Sequence, residues 1–475
     1  MAKVPSLRVL VLGGYGQFGE RICRICQTEV KRRGLGVQLL VAGRSTSRAE
    51  RLVHELNHQQ PVELWSDYSQ GRSGACHSHE PHEAMTLDVH ADGALRDALV
   101  ALRPELVVNT VGPFQDQDYA VAKTCIEAGC HYVDISDARE WVSGIVEDTS
   151  IRRLCEDRGV MAVAGLSTVP SVTVSVVDSV IGDFETVDSI QAGISVSGKA
   201  RPGEATIRAI LGYAGKPFRA LENGRVTTRY GWQNLHRWTF PPPYGRRWQG
   251  RGDVPELDVL PARYSHLGLK SVDFHFGLEN WLPHLAVWAG SWAVRVGLVR
   301  NLAAYTPPLQ ALKTWLSNYV LRDTYKSIMY VQVTGRRRGG GQEEEEEEEE
   351  GQAGGAAGAM ESSTVNLLVA SRGTAEDPRQ QQYYRRVGDH YQGDGPNIPC
   401  IPSVLLMRRF AAARHANDGD HEAAAGHGLR PAGAYSGVDF FSFDEFMDLA
   451  SEQFDITSSV EIASRVLERP PKEVL

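Results

Sequence analysis

The sequence predicts an α/β protein, with an N-terminal Rossmann-type doubly wound parallel sheet followed by a second, mixed α+β unit. Three observations carry this. Short Val- and Leu-rich runs alternate with amphipathic helical segments through residues 1–165. The first of these runs leads without a gap into Gly13-Gly-Tyr-Gly-Gln-Phe-Gly19. From about Val172 the texture changes to longer, less regular elements.

The elements follow in order. Leu7 to Gly13 is apolar on both faces, as a buried parallel strand requires. A helix follows with Phe18, Ile22, Ile25 and Cys26 on one side, and Lys31, Arg32 and Arg33 complement its C-terminal dipole. Val37–Ala42 is the second strand. Ser47-Arg-Ala-Glu50 has the spacing of a capping box and predicts a helix start, with Leu52, Val53 and Leu56 inward. Met85–Val89 reads as the third strand, delayed by a polar surface insertion over residues 65–84. Leu95, Leu99 and Leu102 mark a helix, and Leu106–Asn109 the fourth strand. The helix Tyr119–Ala128 ends at Gly129, a natural left-handed stop. His131–Ile135 and Val160–Ala164 supply strands five and six.

Gly14-x-Gly16-x-x-Gly19 lies at a strand-to-helix junction, the context that gives this spacing meaning. Gly14 permits the tight turn, Gly16 lets backbone approach a pyrophosphate, and Gly19 allows close helix–strand packing. Amide groups at the helix start then hold the phosphates, which places Tyr15, Gln17 and Phe18 along the cofactor as well. A site that prefers NAD usually ends its second strand in Asp or Glu. This strand ends Gly43-Arg44-Ser45, with Arg48 one turn on. A guanidinium grips a 2′-phosphate that a carboxylate would repel, so NADP is the expected cofactor; a solvated arginine at a helix start is the competing reading. The loop Asn109–Phe114 should line the nicotinamide ribose through Gly112, Pro113 and Phe114, because ligands bind beyond the carboxyl ends of such strands. Asp88 could reach the adenine, or simply cap a helix.

Three of these blocks, Val11–Gly19, Asn109–Phe114 and His131-Tyr-Val-Asp-Ile-Ser-Asp137, resemble the saccharopine dehydrogenase-like family, in particular its uncharacterised branch. Later stretches are similar too: Tyr230–Gln233, Asp253-Val-Pro-Glu-Leu-Asp258, Leu260–Tyr264 and Ile398–Pro402. The resemblance implies a Rossmann domain, an α+β domain closing over the nicotinamide, and a C-terminal stretch packing back on both. The domains expected are residues 1–165, 166–400 and a helical 401–475. One departure matters. Lysine-pathway members carry an Asp-Pro-Gly segment soon after the sixth strand, where this chain reads Leu166-Ser-Thr-Val-Pro-Ser171, which argues against saccharopine itself as substrate.

Residues 201–264 are rich in Arg and Trp, including Arg201, Arg229, Trp232, Arg237, Trp238, Arg246, Arg247 and Trp248. Such a set suits an anionic substrate, although solvated arginines over core tryptophans would read the same way. Trp281, Leu285, Trp288, Trp292, Val296 and Val299 form one apolar helical stripe. Core packing or a homodimer interface is its expected use, and a helix on a membrane surface the sharper alternative. Residues 336–362, with an eight-Glu run and Gly/Ala tract, cannot bury a core and read as a disordered insertion between paired strands Ser327–Thr334 and Thr364–Ser371. Ser442-Phe-Asp-Glu445 is a capping box opening a final helix with Phe446 and Leu449.

The net charge of −9 is mostly that Glu run, and no basic excess points to nucleic acid. Cys23 and Cys26 form a C-x-x-C on a helix without a second ligand pair, so buried packing is expected and no metal. Seven scattered cysteines and a first strand near Leu7, leaving no room for a targeting peptide, suggest a cytoplasmic setting. The stretch Trp281–Val299, broken by Pro283, His284 and Arg295, falls short of the ~20 apolar residues of a spanning helix.

The expected activity is NADP-dependent hydride transfer to a C=N, C=O or C=C bond of a small or acyl-type metabolite. A non-catalytic dinucleotide sensor or scaffold is the alternative. No nucleophile elbow or Tyr-x-x-x-Lys pair appears. Tyr132, Asp134, Ser136, Asp137 and Ser167 should crowd the carboxyl edge of the sheet, and Asp137 is the candidate general acid.

Overall fold

The computed structural model describes residues 6–58, 80–115, 117–200, 203–321, 323–338, 360–369, 395–416, 429–454 and 456–465. Two seven-stranded sheets organise it. The first is entirely parallel and contains β1 (Leu7–Leu12), β2 (Val37–Gly43), β3 (Glu83–Thr86), β4 (Leu106–Asn109), β5 (His131–Asp134), β6 (Met161–Ala164) and β15 (Gly433–Ser436). Its order, β15-β6-β5-β4-β1-β2-β3, is the Rossmann arrangement with one added strand. β1 and β4, covered by helices on both faces, are buried except at Arg8, which explains why all their residues but Arg8 and Asn109 are apolar.

Helices α1 (Gln17–Arg33), α2 (Thr46–His58), α3 (Ala94–Leu102), α4 (Ala120–Glu127), α5 (Arg139–Glu147) and α6 (Thr149–Arg158) link these strands. Gly34, at φ 68°, ends α1 in the left-handed cap, beyond the predicted Lys31, Arg32 and Arg33. Two boundaries differ from expectation. α2 starts at Thr46, because the Ser45 carbonyl already accepts the Ala49 amide, so Ser47 of the capping-box pattern lies inside the helix. The third strand is Glu83–Thr86 rather than Met85–Val89: its register is set by pairing Leu40–Gly43 with Glu83–Thr86, and the chain turns at Asp88. The expected insertion therefore stops short of Glu83, and its residues 65–79 lie outside those described.

The second sheet is mixed. It comprises β7 (Phe184–Val196), β10 (His236–Thr239), β11 (Arg246–Arg251), β12 (Ser271–Leu278), β13 (Ser327–Arg337), β14 (Met360–Val369) and β16 (Ile456–Arg465), in the order β10-β11-β12-β7-β13-β14-β16. β13 and β14 pair antiparallel as predicted, Ile328 opposite Leu368, and claim the ends of the Glu-rich insertion; residues 339–359 lie outside those described. α7 (Thr173–Ile181), α8 (Glu204–Tyr213), the hairpin β8 (Pro217–Glu222) and β9 (Arg225–Tyr230), and α9 (Glu256–Tyr264) lie between strands of this half.

The C-terminal stretch is not simply helical. α12 (Ile401–Ala416) packs on α1, and α13 (Phe443–Gln453) opens with the predicted capping box, both halves formed between Ser442 and Glu445. Between and after them, β15 extends the first sheet and β16 completes the second. One apolar core runs through both halves, from Val9 and Leu106 to Val331 and Val365.

The tryptophan stripe is not one buried seam. In α10 (Trp281–Arg295), Trp288 packs inward with Val287 and Val294, while Trp281, Trp292 and Val296 face solvent. The helix is rotated so that His284 and Ser291 are buried. Trp232 packs on this buried side, with its ring 5.2 Å from the His284 ring and its indole N–H donating to the His284 carbonyl.

Candidate functional site

The glycine turn is packed too tightly for side chains. A Cβ on Gly19 would lie 2.3 Å from the Gly13 carbonyl oxygen, one on Gly16 2.9 Å from the same atom, and one on Gly14 2.8 Å from Val41. All three positions therefore need glycine, and the turn leaves backbone rather than side chains facing the start of α1. Tyr15 lies across the end of β2, where its hydroxyl accepts the Ser45 amide at 2.6 Å. The Arg48 guanidinium stacks over the Tyr15 ring at 4.6 Å and donates to the Tyr15 carbonyl at 3.2 Å. Arg44 is exposed beside them, with no hydrogen bond or ion pair among the described residues. These residues fit a dinucleotide: amides at the turn for its pyrophosphate, and two guanidiniums at the end of β2 for its adenosine half. Gln17 accepts a hydrogen bond from the Gly203 amide, which brings the start of α8 against the start of α1.

The Asn109–Phe114 loop is held rigidly. The Thr110 hydroxyl donates to the Leu12 carbonyl at 2.8 Å, and Gln117 donates to the Val111 and Pro113 carbonyls at 2.9 and 2.8 Å. Phe114 is buried against Trp141. Gly112 and Pro113 are partly open, joined by a cis peptide bond. Asp88 is exposed and accepts the His90 amide at 3.1 Å, within its own turn.

At the carboxyl edge of β5 and β6 the predicted polar residues separate into two roles. Asp134 is fully buried and accepts four hydrogen bonds, from Tyr132 Oη, Trp141 Nε1, and the Ser136 and Gly165 amides, at 2.8–3.1 Å. It ties the two strand ends together, and Tyr132, itself accepting from Asn109, belongs to that network. Ser136 accepts the Ala138 amide, and buried Ser167 lies by Ser171, so both brace the loops. Asp137 is different: it is half-buried, takes one bond of 3.3 Å from Gln115, and burial raises its pKa.

Two residues that the sequence did not single out join Asp137. Glu256, the first residue of α9, is completely buried, and neither carboxylate oxygen has a hydrogen-bond partner of good geometry among the described residues. Burial pushes its carboxyl up to about 8; the Thr173 hydroxyl, already 3.3 Å from the Thr168 carbonyl, offsets this only in part, and the charge of Asp137 adds to the rise. Tyr213, last in α8, has a buried hydroxyl without a partner, and burial together with the charges of Asp137 and Asp253 pushes its pKa up. The cluster is positioned by Arg139 in α5, which donates to Asp258 at 2.6 Å, Asp253 at 3.2 Å and the Arg219 carbonyl at 2.6 Å. The two aspartates flank Glu256 in Asp253-Val-Pro-Glu-Leu-Asp258, so the clamp holds the start of α9 against α5 and against residues 168–172, the segments that follow β5 and β6. The signal was present in that acidic block, but its three carboxylates look alike until their burial is known.

Much of the arginine-rich set pairs within the second half, while Arg246 is exposed. Arg229 pairs with Glu222, and Arg237 lies over Trp248 at 4.5 Å. Arg247, buried, donates to Ser195 and the Lys326 carbonyl at 3.1 and 3.0 Å; Trp238 stacks on Tyr330 at 4.0 Å. Arg201 lies outside the described residues. Cys23 and Cys26 are buried, and burial holds both thiols well above their ordinary pKa, so they pack as apolar groups.

Comparison with known proteins bears on the N-terminal domain and on the fold. Residues 9–163 match the family model described as the saccharopine dehydrogenase NADP binding domain. The fold is similar to that of saccharopine dehydrogenase (L-Glu forming) from Saccharomyces cerevisiae, at 11% identity and a TM-score of 0.54, covering 96% of this chain and 100% of that one. An amine dehydrogenase from Mycobacterium smegmatis aligns at 10% identity over 90% of this chain and 94% of its own, with a TM-score of 0.32. No curated protein matches. With its glycine turn and parallel sheet, the N-terminal part of the chain, residues 9–163, is a dinucleotide-binding domain of the saccharopine dehydrogenase type.

Proposed function

We propose that the protein is an NADPH-dependent reductase in which Glu256 delivers the proton that accompanies hydride transfer to a C=N, C=O or C=C bond of a small or acyl-type metabolite. The observation that carries the proposal is the buried Glu256 carboxyl, without a hydrogen-bond partner of good geometry and near the charge of Asp137, by the segments that leave the carboxyl edge of the sheet where such folds bind ligands. NADP is favoured over NAD by Arg44 and Arg48 at the end of β2, where no carboxylate stands. The cofactor, when bound, supplies the hydride.

The protein's own residues do the rest. The Gly13–Gly19 turn and the Asn109–Phe114 loop orient the nicotinamide, and the contact between Gln17 and Gly203 closes the second half over it. Glu256, protonated near neutrality, gives its proton to the electron-rich atom of the reduced bond and is left as carboxylate, which water reprotonates. Burial keeps the proton on Glu256, and the charge of Asp137 adds a smaller push in the same direction. The Tyr213 hydroxyl, still a donor at any physiological pH, orients the substrate atom that receives the proton.

The test is NADPH oxidation with panels of imines, ketones, aldehydes and enoyl thioesters, followed by Glu256→Gln on the best substrate. A fall in kcat of about 10²–10⁴-fold with unchanged NADPH affinity is expected. Turnover that survives the substitution would remove Glu256 from the chemistry. Tight NADPH binding with no turnover on any panel would favour the sensor reading.

A further inference from the structure

Of the fourteen large apolar side chains exposed among the described residues, ten lie between Trp281 and Val320. They belong to α10, to α11 (Thr306–Tyr319) and to the short connection through Leu302–Tyr305. The two helices cap one small core of Leu211, Ala214, Trp232 and Leu302: Trp288 and Val294 of α10 and Leu309 of α11 pack on it. Their opposite sides therefore face outward together. Five of the ten are aromatic: Trp281, Trp292, Tyr305, Trp315 and Tyr319, with Tyr319 77% and Trp281 59% exposed. Trp315 and Tyr319, with Pro307 and Ala311, also line a shallow groove along α11.

The charged residues of the segment that builds this face all have one sign. From Trp281 to Leu321 there is no Asp or Glu, only Arg295, Arg300 and Lys313, on a chain whose net charge is −9. Lys313 is held by the Gly198 and Ala200 carbonyls, whereas Arg295 lies over Tyr230 and Trp292 and Arg300 is exposed at the end of the α10 segment.

We infer that this face is the docking surface for an anionic phospholipid membrane, on which the protein lies without crossing it. Tryptophan and tyrosine prefer the headgroup boundary, where the ring is covered and its polar edge stays wet. Apolar area and cations together give reversible binding to anionic lipid. A second copy of the chain fits less well, because a two-fold interface sets the patch against itself, and a segment bearing only cations has no carboxylate to pair with. No helix among the described residues is long and apolar enough to span a bilayer, in keeping with surface attachment.

The experiment is flotation of the purified full-length protein with vesicles of phosphatidylcholine, alone or mixed with phosphatidylserine. Flotation with the mixed vesicles, released by high salt and accompanied by a blue shift in tryptophan emission, is expected. The double variant Trp281→Gln, Trp315→Gln should bind at least about tenfold more weakly, with its melting temperature and NADPH titration unchanged because both side chains are exposed. Absence of flotation, or equal flotation of the variant, overturns the inference. So does a dimer in sedimentation that the same substitutions dissociate, since the face would then bind a second copy.

Discussion

Replacing Glu256 with Gln should make the protein more stable at alkaline pH, an unusual outcome for mutation of a buried residue at a candidate active site. The carboxyl titrates near 8 in the folded chain and near 4.5 when exposed. Between those values the folded state holds a proton that the unfolded state has lost, so stability falls as pH rises through that window. The slope is about 1.4 kcal/mol per pH unit, so the accumulated cost approaches about 4–5 kcal/mol by pH 8. Gln keeps the shape and never ionises, so its curve lacks this slope. Urea denaturation of both proteins at about pH 5, 7 and 8.5 isolates the effect, because titrating groups that do not interact with Glu256 cancel in the difference. Wild type should equal the variant near pH 5 and fall progressively below it. A difference that stays flat with pH would refute the reasoning, since it would mean that Glu256 is solvated or fully hydrogen-bonded in the folded state.

Three further outcomes follow from the site. Arg44→Asp should weaken NADPH relative to NADH by about 10–100-fold in fluorescence titration, the worth of a charge-assisted phosphate contact of about 1.5–3 kcal/mol; an unchanged ratio removes Arg44 from cofactor choice. Gly19→Ala puts a Cβ 2.3 Å from the Gly13 carbonyl and 2.8 Å from the Gly14 Cα, so the turn must open: NADPH binding should be lost, with about 1–3 kcal/mol of stability. Arg139→Met leaves Asp253 and Asp258 without their shared cation. It should cost about 1–3 kcal/mol and blunt the pH effect at Glu256, because the segment that carries that carboxyl is no longer clamped; the same denaturation series reads both.

Much of the first sheet was legible because its signals are local. A buried parallel strand must be apolar on both faces, and a turn whose Cβ positions are blocked must be glycine, so Leu7–Leu12 and Gly14-x-Gly16-x-x-Gly19 announce themselves. The predicted polar edge was found as well, but residue type could not separate Asp134, consumed by four hydrogen bonds, from Asp137, with one. Glu256 and Tyr213 were invisible for a different reason. Each lies far along the chain from Asp137, and what sets them apart is burial without a hydrogen-bond partner of good geometry, which exists only once the second half has folded onto the first. The tryptophan stripe misled because helical spacing says which side chains share a face, while the side that turns inward is the one packed on Trp232.

The placement of the final strands bears on how the molecule is made. Residues 433–436 occupy the border of the nucleotide-binding sheet next to Met161–Ala164, and residues 456–465 seal the far margin of the other sheet. A nascent chain emerging from the ribosome thus carries Met161–Ala164 and Met360–Val369 without these neighbours until residues 433–465 appear. During that interval those strands offer unpaired amides and carbonyls to any neighbouring strand. Synthesis of this protein should accordingly lean on chaperones, and stop codons upstream of Gly433 should yield aggregates rather than a free-standing nucleotide-binding module.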